Sequence, residues 1–540
     1  MPTLSFASDS FFSPTFVSPD CIPTGSLTWL LAKHRDKVCP PWLLRGWRGE
    51  GRTGRKAWPA QLLMALVLLR WSESLPRETA IRRASTDLGW RAALGLPADA
   101  RVPSDRTVRD FERFLCERHP EIGVHRYVLL HEHIVHLCVD HGVLGEEQVW
   151  GIDSTPMWCF GACIDTVRLM GTGLRHLVRL WGKATGETFA EVAHRWNAAF
   201  LLAPSTKGGF DINWKDRQQR EQVVDTIACA VVRIVDDVRR QIGDIRRRFR
   251  KRALQLARSL VGIVAHDLEA DKSGRLVIAR KITEGRLVSF TDRQARNGVK
   301  SKSKRFKGFK LSLVGDLVSG LIASVAVTPG NQHDQDAILP LVARATALVD
   351  GIDELLGDSA YGFVDKRERV RRQYGVTLIS PPSNAARPTI GDRLTKRDFA
   401  IDFDTDTVTC PNGVVTADKV WRPLGERQAP AFAWPRRACD ACSLRGRCLT
   451  GRSRRKRLLL HPHERALQES REVWKQAATK RKYRRRGEFE RLVGRMTRLG
   501  GRHAKAWGIA FARFQVHCVA VINNLGLLAT RLAQGVPAQV

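Results

Sequence analysis

The sequence predicts an α/β protein in which a helical N-terminal region precedes a mixed sheet with crossover helices. Residues 26–147 repeat apolar residues at helical spacing. From about 286 to 382, short β-favouring runs alternate with amphipathic helices, which is typical of a mixed α/β sheet. A Cys-, Pro- and Arg-rich block then separates this sheet from further helices, and 540 residues are too many for a single hydrophobic core.

The N-terminal part is expected to hold a short disordered tail and a helical domain. Residues 1–25 are rich in Ser, Pro and Phe, which favours disorder, and residues 26–147 form the helical domain. The apolar run at 60–69 has the length of a core helix and is too short for a membrane span. Ser104 is the expected N-cap of a later helix. This pair of short helices resembles a helix-turn-helix, so the domain either contacts DNA or is simple bundle packing.

The α/β core is assigned to residues 148–382, with a helical insertion at about 156–285. Its first strand, in 147–155, is expected to stop at Asp153, and a long Arg-rich helical segment follows at 217–260. The predicted strands and helices after this insertion follow in order: strands at 286–292, 309–316 and 320–328, a helix at 335–349, a strand at 353–359, a helix at 364–374 and a strand at 376–382.

Two further segments complete the chain. Residues 383–460 form the Cys-rich insertion, which is poor in apolar residues, so we expect no core of its own there. Residues 461–540 are helical again and include a long helix with an apolar face at 506–533.

The charge balance points to nucleic acid. The chain has 89 Lys and Arg against 55 Asp and Glu, a net charge of +34. A solvated basic surface would explain the total, but the excess is concentrated in runs at 246–252, 300–310, 452–457 and 480–486, as expected of a protein that binds phosphate backbones. The run at 300–310 contributes four candidate DNA contacts: Lys300, Lys302, Lys304 and Arg305.

The compartment is expected to be the cytosol. The N-terminal residues lack the basic and apolar layout of a signal peptide. The 12 cysteines are scattered along the chain and do not form a disulfide framework.

Three carboxylates stand where a metal site could form. Asp153 and Asp358 end predicted strands, and Glu490 lies on a helix inside the basic stretch 481–502. Two strand-end aspartates and a helical glutamate can hold two Mg²⁺ ions about 3.5–4 Å apart, the arrangement for in-line phosphoryl transfer. The alternative is that each strand-end Asp caps a turn or helix, which is the better interpretation of Asp316 in its hairpin turn.

Several motifs, taken in order, resemble the DDE transposases of bacterial insertion sequences. They are "GIDST", "RLVSFTDRQARNGVKSKSKRFKGFKLSLVGD", "VTPGNQHD", "LLGDSAYG" and "YRRRGEFE", and the resemblance covers most of residues 45–535. Tyr483, Arg486 and Glu490 fit the Tyr-x2-Arg-x3-Glu signature of one branch, which selects Glu490 over Glu488. The signature often continues with a Lys where this chain has Thr497.

The resemblance implies an RNase H-like catalytic core with Asp153, Asp358 and Glu490 as ligands of Mg²⁺ or Mn²⁺. It implies that Tyr483 and Arg486 orient Glu490 and contact a phosphate. On one continuous helix, their spacing would place both residues on the same face as Glu490. The implied partners are double-stranded DNA, as terminal inverted repeats and target, and a second copy of the chain. An RNase H-like nuclease that does not join strands and a non-catalytic DNA-binding derivative remain as alternatives.

Four cysteines in the Cys-rich block suit a structural Zn²⁺ site. They contain C-x2-C and C-x5-C spacings, and the alternative is a set of reduced, unligated thiols. They are Cys410, Cys439, Cys442 and Cys448.

Overall fold

The computed structural model describes residues 22–47, 57–97, 99–280, 283, 285–300, 303–382, 392–425, 427–449 and 453–535. Residues 1–21 of the segment expected to be disordered lie outside these ranges, and so does Lys302. Ile22, within that same segment, is buried.

Helices make up the N-terminal part. The Ser104 hydroxyl accepts a hydrogen bond from the Thr107 amide at 3.3 Å, which confirms the predicted N-cap. The apolar run at 60–69 belongs to a core helix, because residues 62–71 are all buried. The helices are α1 (Leu27–Val38), α2 (Ala60–Ser72), α3 (Arg77–Thr86), α4 (Leu88–Leu94), α5 (Asp105–Leu115) and α6 (Arg126–Asp140).

Strand β1 (Trp150–Trp158) continues past Asp153, so the expectation that it stops at this residue is wrong. Tertiary hydrogen bonds extend the strand: the Trp158 amide donates to the Arg502 carbonyl at 2.9 Å, and the next amide, of Cys159, donates to the Lys307 carbonyl at 3.2 Å. Such partners are distant in sequence and leave no local signal.

Four helices follow β1 and pack around a hydrophobic core of their own. The Arg-rich helical segment expected at 217–260 consists of two helices, separated by a turn that contains Gly243. The elements are α7 (Thr166–Thr185), α8 (Phe189–Arg195), α9 (Arg217–Arg240), α10 (Arg247–Asp267) and the short antiparallel pair β2 (Leu268–Ala270) and β3 (Leu276–Ile278).

The strand expected at 286–292 is wrong, because this segment is a loop. Phe290 is buried in the core of the preceding helices, so the apolar residues that suggested a strand pack against helices instead. Strand β4 (Arg296–Val299) was not predicted. The other strands and helices of the α/β region are confirmed: β5 (Arg305–Asp316), β6 (Ile322–Pro329), α11 (Ile338–Leu348), β7 (Glu354–Gly357), α12 (Val364–Tyr374) and β8 (Thr377–Ile379).

The Cys-rich block contains two small antiparallel sheets, β9–β10–β11 and β12–β13–β14, and the remaining elements are helices. The bounds are β9 (Ala400–Asp402), β10 (Thr407–Thr409), β11 (Val415–Thr416), β12 (Lys419–Leu424), β13 (Arg427–Ala433), α13 (Arg436–Asp440), α14 (Arg445–Cys448), β14 (Arg457–Leu459), α15 (Glu464–Lys475), α16 (Ala477–Arg484), α17 (Phe489–Met496) and α18 (Ile509–Ala533).

The chain divides into two compact units. The first comprises Met1–Gln148, Ser154–His333 and Glu490–Val540, and the second comprises Val149–Asp153 and Asp334–Phe489. Both mix helices and strands, so the α/β class is confirmed.

In the first unit, β5 pairs antiparallel with β4 and with β6. The Asp316 carboxylate accepts hydrogen bonds from the Ser319 amide and hydroxyl, both at 2.7 Å, so the turn interpretation of this residue is confirmed. Helix α18 packs against α6 and β6, and the Asn524 side chain pairs with the Ile322 backbone at 3.0 and 2.9 Å.

Among the described residues, α18 is the one helix long and apolar enough to cross a membrane. The protein buries 67% of its most apolar window, and the helix carries the polar contact from Asn524 to β6. These features are those of a core helix.

In the second unit, the start of β1 pairs parallel with β7, and β7 pairs parallel with β8. Helix α12 connects β7 to β8, which is the crossover that parallel neighbours require.

Candidate active site and cysteine pocket

The register of β1 and β7 brings two of the three predicted carboxylates to one sheet edge. The paired residues are Trp150 with Leu355, Gly151 with Leu356 and Ile152 with Gly357. One further step along both strands reaches Asp153 and Asp358. Because the strands are parallel, these aspartates stand side by side where the pairing ends, and carboxylates at this edge can reach into a crevice outside the sheet.

Asp358 both caps a turn and keeps a free acceptor. Its Oδ1 accepts the Ala360 amide at 2.8 Å, at the start of the 3₁₀ helix Ser359–Tyr361. The capping interpretation is therefore correct for one oxygen. Among the hydrogen bonds of the described residues, none reaches Asp358 Oδ2, so this oxygen remains for a ligand.

Asp153 forms an ion pair with Arg486. The Arg486 Nη2 lies 2.5 Å from Asp153 Oδ2, and the two side chains are 26% and 20% exposed. The Arg486 Nε is buried, without a hydrogen-bond partner among the described residues. The guanidinium thus neutralises one candidate metal ligand and retains a donor for a second anion.

Tyr483 lies in the same electrostatic neighbourhood. Burial raises the pKa of its phenol, the Arg486 charge opposes that shift, and the carboxylates of Asp358 and Asp153 add to it. Its ring meets Trp474 edge to face, with 4.8 Å between the ring centroids. Tyr483, Arg486 and the two aspartates therefore form one cluster within the second unit.

Two residues that sequence reasoning missed hold this cluster in place. Lys482 donates to both carboxylate oxygens of Glu354 at 2.9 and 2.8 Å, which ties α16 to the first residue of β7. Trp474 supports Tyr483 from α15. Lys482 is one of several cations in a basic run, so no local signal distinguishes it from its neighbours.

The continuous helix assumed for Tyr483, Arg486 and Glu490 is interrupted. Tyr483 ends near the close of α16, Arg486 lies in the 3₁₀ helix Arg485–Glu488, and Glu490 follows in α17. A 3₁₀ helix turns about 120° per residue against about 100° in an α-helix, so the spacing no longer reports one face. In this structure Arg486 contacts Asp153, another residue of the second unit.

Glu490 belongs to the first unit and is exposed at the start of α17. Leu492 and Met496 bury the opposite side of this helix, and Leu492 lies over Gly315 at the end of β5. A side chain added at Gly494 would meet open space, as expected for a face that leaves room. Glu488 pairs with Arg485 at 3.4 Å, an ordinary helix charge pair.

The predicted basic DNA contacts lie on the β4–β5 hairpin of the first unit. Lys300, Lys304 and Arg305 are exposed there, and the Lys300 amide donates to the Lys304 carbonyl at 2.8 Å. Lys302 lies outside the described residues. The hairpin therefore presents a cationic tip to solvent.

The four predicted zinc ligands line one pocket of about 30 Å³ in the second unit. Cys410 begins a tight turn after β10, in which Gly413 has a φ of +79°. The Cys410 amide donates to the Val414 carbonyl at 3.0 Å and closes this turn. The other three come from α13 and α14 and the turn between them. Burial raises the pKa of the Cys448 thiol; Lys456 opposes the shift, and the other three thiols add to it. They are Cys410, Cys439 and Cys442.

The expectation that this block has no core of its own is wrong. Phe399, Val408, Phe432, Trp434, Leu458 and Leu460 are all buried together, and three of the cysteines pack against them. A few large side chains, which lie in or directly beside the short strands β9, β10, β13 and β14, suffice where an apolar count suggests too little.

No group of three or more His, Cys, Asp or Glu side chains is arranged to hold a metal ion anywhere in the described ranges. The four thiols share a pocket without standing in a coordination geometry.

Comparison with known proteins gives one match. Residues 279–525 match a family model described as "Transposase DDE domain". This segment includes Asp358 and Glu490 and begins after Asp153. No curated protein and no solved structure matches the chain. Residues 279–525 thus carry a transposase DDE domain, which supports a DDE-type transposase.

Proposed function

We propose that the chain binds the terminal inverted repeats of an insertion sequence, cleaves DNA at the element ends and joins the freed 3′-hydroxyls to target DNA. The observation that carries this proposal is the β1–β7 register, which sets Asp153 beside Asp358 where the pairing of these two strands ends. The family match supports action on DNA. The core would be RNase H-like, and the protein would act in the cytoplasm as at least a dimer, since two DNA ends must be paired.

The aspartates suit a hard divalent cation. Both offer carboxylate oxygens at the same edge, and Asp358 Oδ2 accepts no hydrogen bond among the described residues. When bound, Mg²⁺ or Mn²⁺ would supply positive charge to the scissile phosphate and an activated oxygen nucleophile. Asp153 and Asp358 would hold the cation, while Arg486 would exchange its bond to Asp153 for one to a DNA phosphate.

Glu490 is proposed as the third carboxylate. The support is its motif spacing from Tyr483 and Arg486, its exposure and the open space beside Gly494. A glutamate inside a basic stretch repels DNA unless it carries a cation that DNA also binds, so a metal-binding role explains its presence.

Zn²⁺ is proposed for the cysteine pocket. Four thiols lining one small pocket fit the donor set of a structural zinc site, Cys₄. The metal would tie the turn after β10 to the two short helices α13 and α14.

The test is incubation of the full chain with Mg²⁺ and DNA that carries the element's own flanking repeats. We expect cut ends and joined products, and Asp358→Asn should abolish both while leaving repeat binding intact. Cutting without joining would favour a nuclease that does not transfer strands. Binding without cutting would favour a non-catalytic DNA-binding protein.

A further inference from the structure

A second pocket in the Cys-rich block is lined mainly by cations. It has a volume of about 540 Å³, and seven of its eleven lining residues are Arg or Lys. None of the eleven is Asp or Glu. A concave surface of one charge sign concentrates its field and attracts counter-ions.

Most of this charge is not neutralised by the protein. Arg447 binds Asp392 at 2.9 and 2.7 Å, and Arg436 pairs with Asp440 at 3.3 Å. Among the ion pairs of the described residues, none involves the other four exposed lining arginines, which are Arg393, Arg454, Arg455 and Arg457. Their guanidiniums remain available for an outside anion.

The basic segment is anchored to the cysteine pocket. The Lys456 amide lies 3.5 Å from Cys439 Sγ, and its ammonium donates to the Cys448 carbonyl at 3.1 Å. Two residues on, Leu458 is buried in the core of the block, while Arg457 before it is exposed on strand β14. The cations are therefore held on a fixed backbone, which reduces the entropy lost when they bind a ligand.

We propose that this cationic pocket, defined by Arg393, Arg454, Arg455 and Arg457, binds the phosphate backbone of double-stranded DNA. Several separate guanidiniums around a wide, open pocket suit a polyanion with spaced phosphates better than one small anion. The inference rests on the proposed function, which supplies DNA as the partner. It assigns to the Cys-rich block a DNA contact outside the aspartate cluster.

The test compares two triple variants of the full chain with equal loss of charge. One is R454Q/R455Q/R457Q in the pocket. The other is R397Q/R422Q/R437Q, which changes three exposed arginines of the same block outside the pocket. Affinity for a double-stranded DNA fragment is measured over a series of KCl concentrations, with circular dichroism as a check of folding.

The slope of log affinity against log salt is negative, and each lost phosphate contact reduces its magnitude by about 0.9. We expect the pocket variant to lose about 2–3 in slope and the control to keep the slope of the unmodified chain. R455Q alone should lose about 1, and it removes only an exposed side chain. Equal slopes in the two triple variants would overturn the proposal.

Two competitors separate the ligand classes. One outcome is that inorganic phosphate binds the unmodified chain but not the pocket variant, while the salt slope of DNA binding is the same in both. The ligand of the pocket would then be a small anion and not DNA. The pocket substitutions could also reduce the salt slope for a double-stranded RNA of equal length more than the slope for DNA. That result would overturn the assignment to DNA. If the unmodified chain never cuts repeat DNA but the pocket substitutions still change the salt slope of DNA binding, the proposed catalysis is wrong and the proposed DNA contact is supported.

Discussion

Arg486 controls the charge at Asp153. Its guanidinium lies 2.5 Å from Asp153 Oδ2, so a divalent cation that approaches this carboxylate meets a positive charge already in place. The side chain is only 26% exposed, which strengthens the competition relative to a surface pair. Arg486 therefore opposes metal binding at Asp153 and, with its spare Nε donor, favours a phosphate once it is released.

Arg486→Gln tests this dual role. We expect Mn²⁺ to bind severalfold more tightly, because the competing cation is gone, while DNA cleavage falls because a phosphate contact is lost. Isothermal titration with Mn²⁺ and a cleavage assay measure the two effects. Arg485→Gln is the matched control, since Arg485 pairs with Glu488, and it should leave both quantities near their original values. Unchanged Mn²⁺ affinity in the Arg486 variant would contradict the competition.

Cys163 is expected to be unusually reactive. The two thiols lie 3.2 Å apart, and the hydrogen bond with Cys159 lowers the pKa of Cys163 to about 7, with help from Lys307. The thiolate is thus present above about pH 7 and is lost as the pH falls below this value. Iodoacetamide labelling of Cys163, followed by mass spectrometry across a pH series, should show a midpoint near pH 7.

Cys159→Ala serves as the control for this pair. It removes the donor, so the labelling midpoint of Cys163 should move to higher pH. A midpoint that stays in place would show that the neighbouring thiol has no part in the shift.

At the residue scale, sequence reasoning singled out the two aspartates because each ends an apolar, β-favouring run, although β1 itself continues to Trp158. It did not find the Arg486–Asp153 pair, since the two residues are separated by 333 positions. The spacing argument for Glu490 assumed a continuous helix, and a 3₁₀ turn is invisible to a count of positions.

At the scale of elements, the junction between the 3₁₀ helix Arg485–Glu488 and α17 separates the two glutamates of the basic stretch. Glu488 is half-buried and paired with Arg485, whereas Glu490 is exposed. Glu490→Gln keeps the shape and removes the charge, so it should abolish cleavage with repeat binding nearly intact. Glu488→Gln should keep cleavage within a few-fold. Cleavage assays and DNA-binding titrations on both variants distinguish the roles, and the reverse pattern would move the active carboxylate to Glu488.

A buried ion network joins three N-terminal helices. Glu112 on α5 pairs with Arg70 on α2 and, at 3.2 Å, with Arg77 on α3, and its side chain is 4% exposed. Glu112→Ala leaves the buried Arg70 without this partner, so the free energy of unfolding should fall by about 3–5 kcal/mol. Urea denaturation measures the change.

The exposed pair Arg45–Glu121 supplies the comparison for this network. Its side chains are 62% and 60% exposed, and water screens the interaction. Glu121→Ala should therefore leave the unfolding curve almost unchanged. Equal losses in the two variants would show that burial does not decide the strength of these pairs.

Element types were predictable where periodicity was sustained and failed where a segment serves a distant core. The strands β5 and β6 and the helix α12 appear where their patterns predict them. The loop at 286–292 reads as a strand because it alternates apolar residues, yet Phe290 lies in the core of the preceding helices. A pattern of apolar residues indicates which side chains are buried, but it does not indicate which elements they pack against.

At the scale of the whole molecule, the chain order of the candidate site residues does not follow its compact units. The first unit takes three segments and the second takes two, with the unit boundary falling between Asp153 and Ser154 and between Phe489 and Glu490. Sequence reasoning places boundaries where composition changes, and these two points lie inside continuous elements. Division of this kind depends on long-range contacts.

Zinc is expected to supply only part of the stability of the Cys-rich block. The Cys-rich block buries six large apolar side chains of its own, so metal need not supply all of its folding free energy. We expect one Zn²⁺ per chain, lost in Cys442→Ser. Removal of zinc should open the segment 436–456, where α13 and α14 depend on the thiol pocket, while β12 and β13 persist through their six paired positions. Limited proteolysis with and without a chelator should therefore add cuts in 436–456 alone, and Cys229→Ser, at an exposed thiol outside the block, should add none. Purified protein free of zinc, with the same segment still protected, would show that the apolar core suffices without metal.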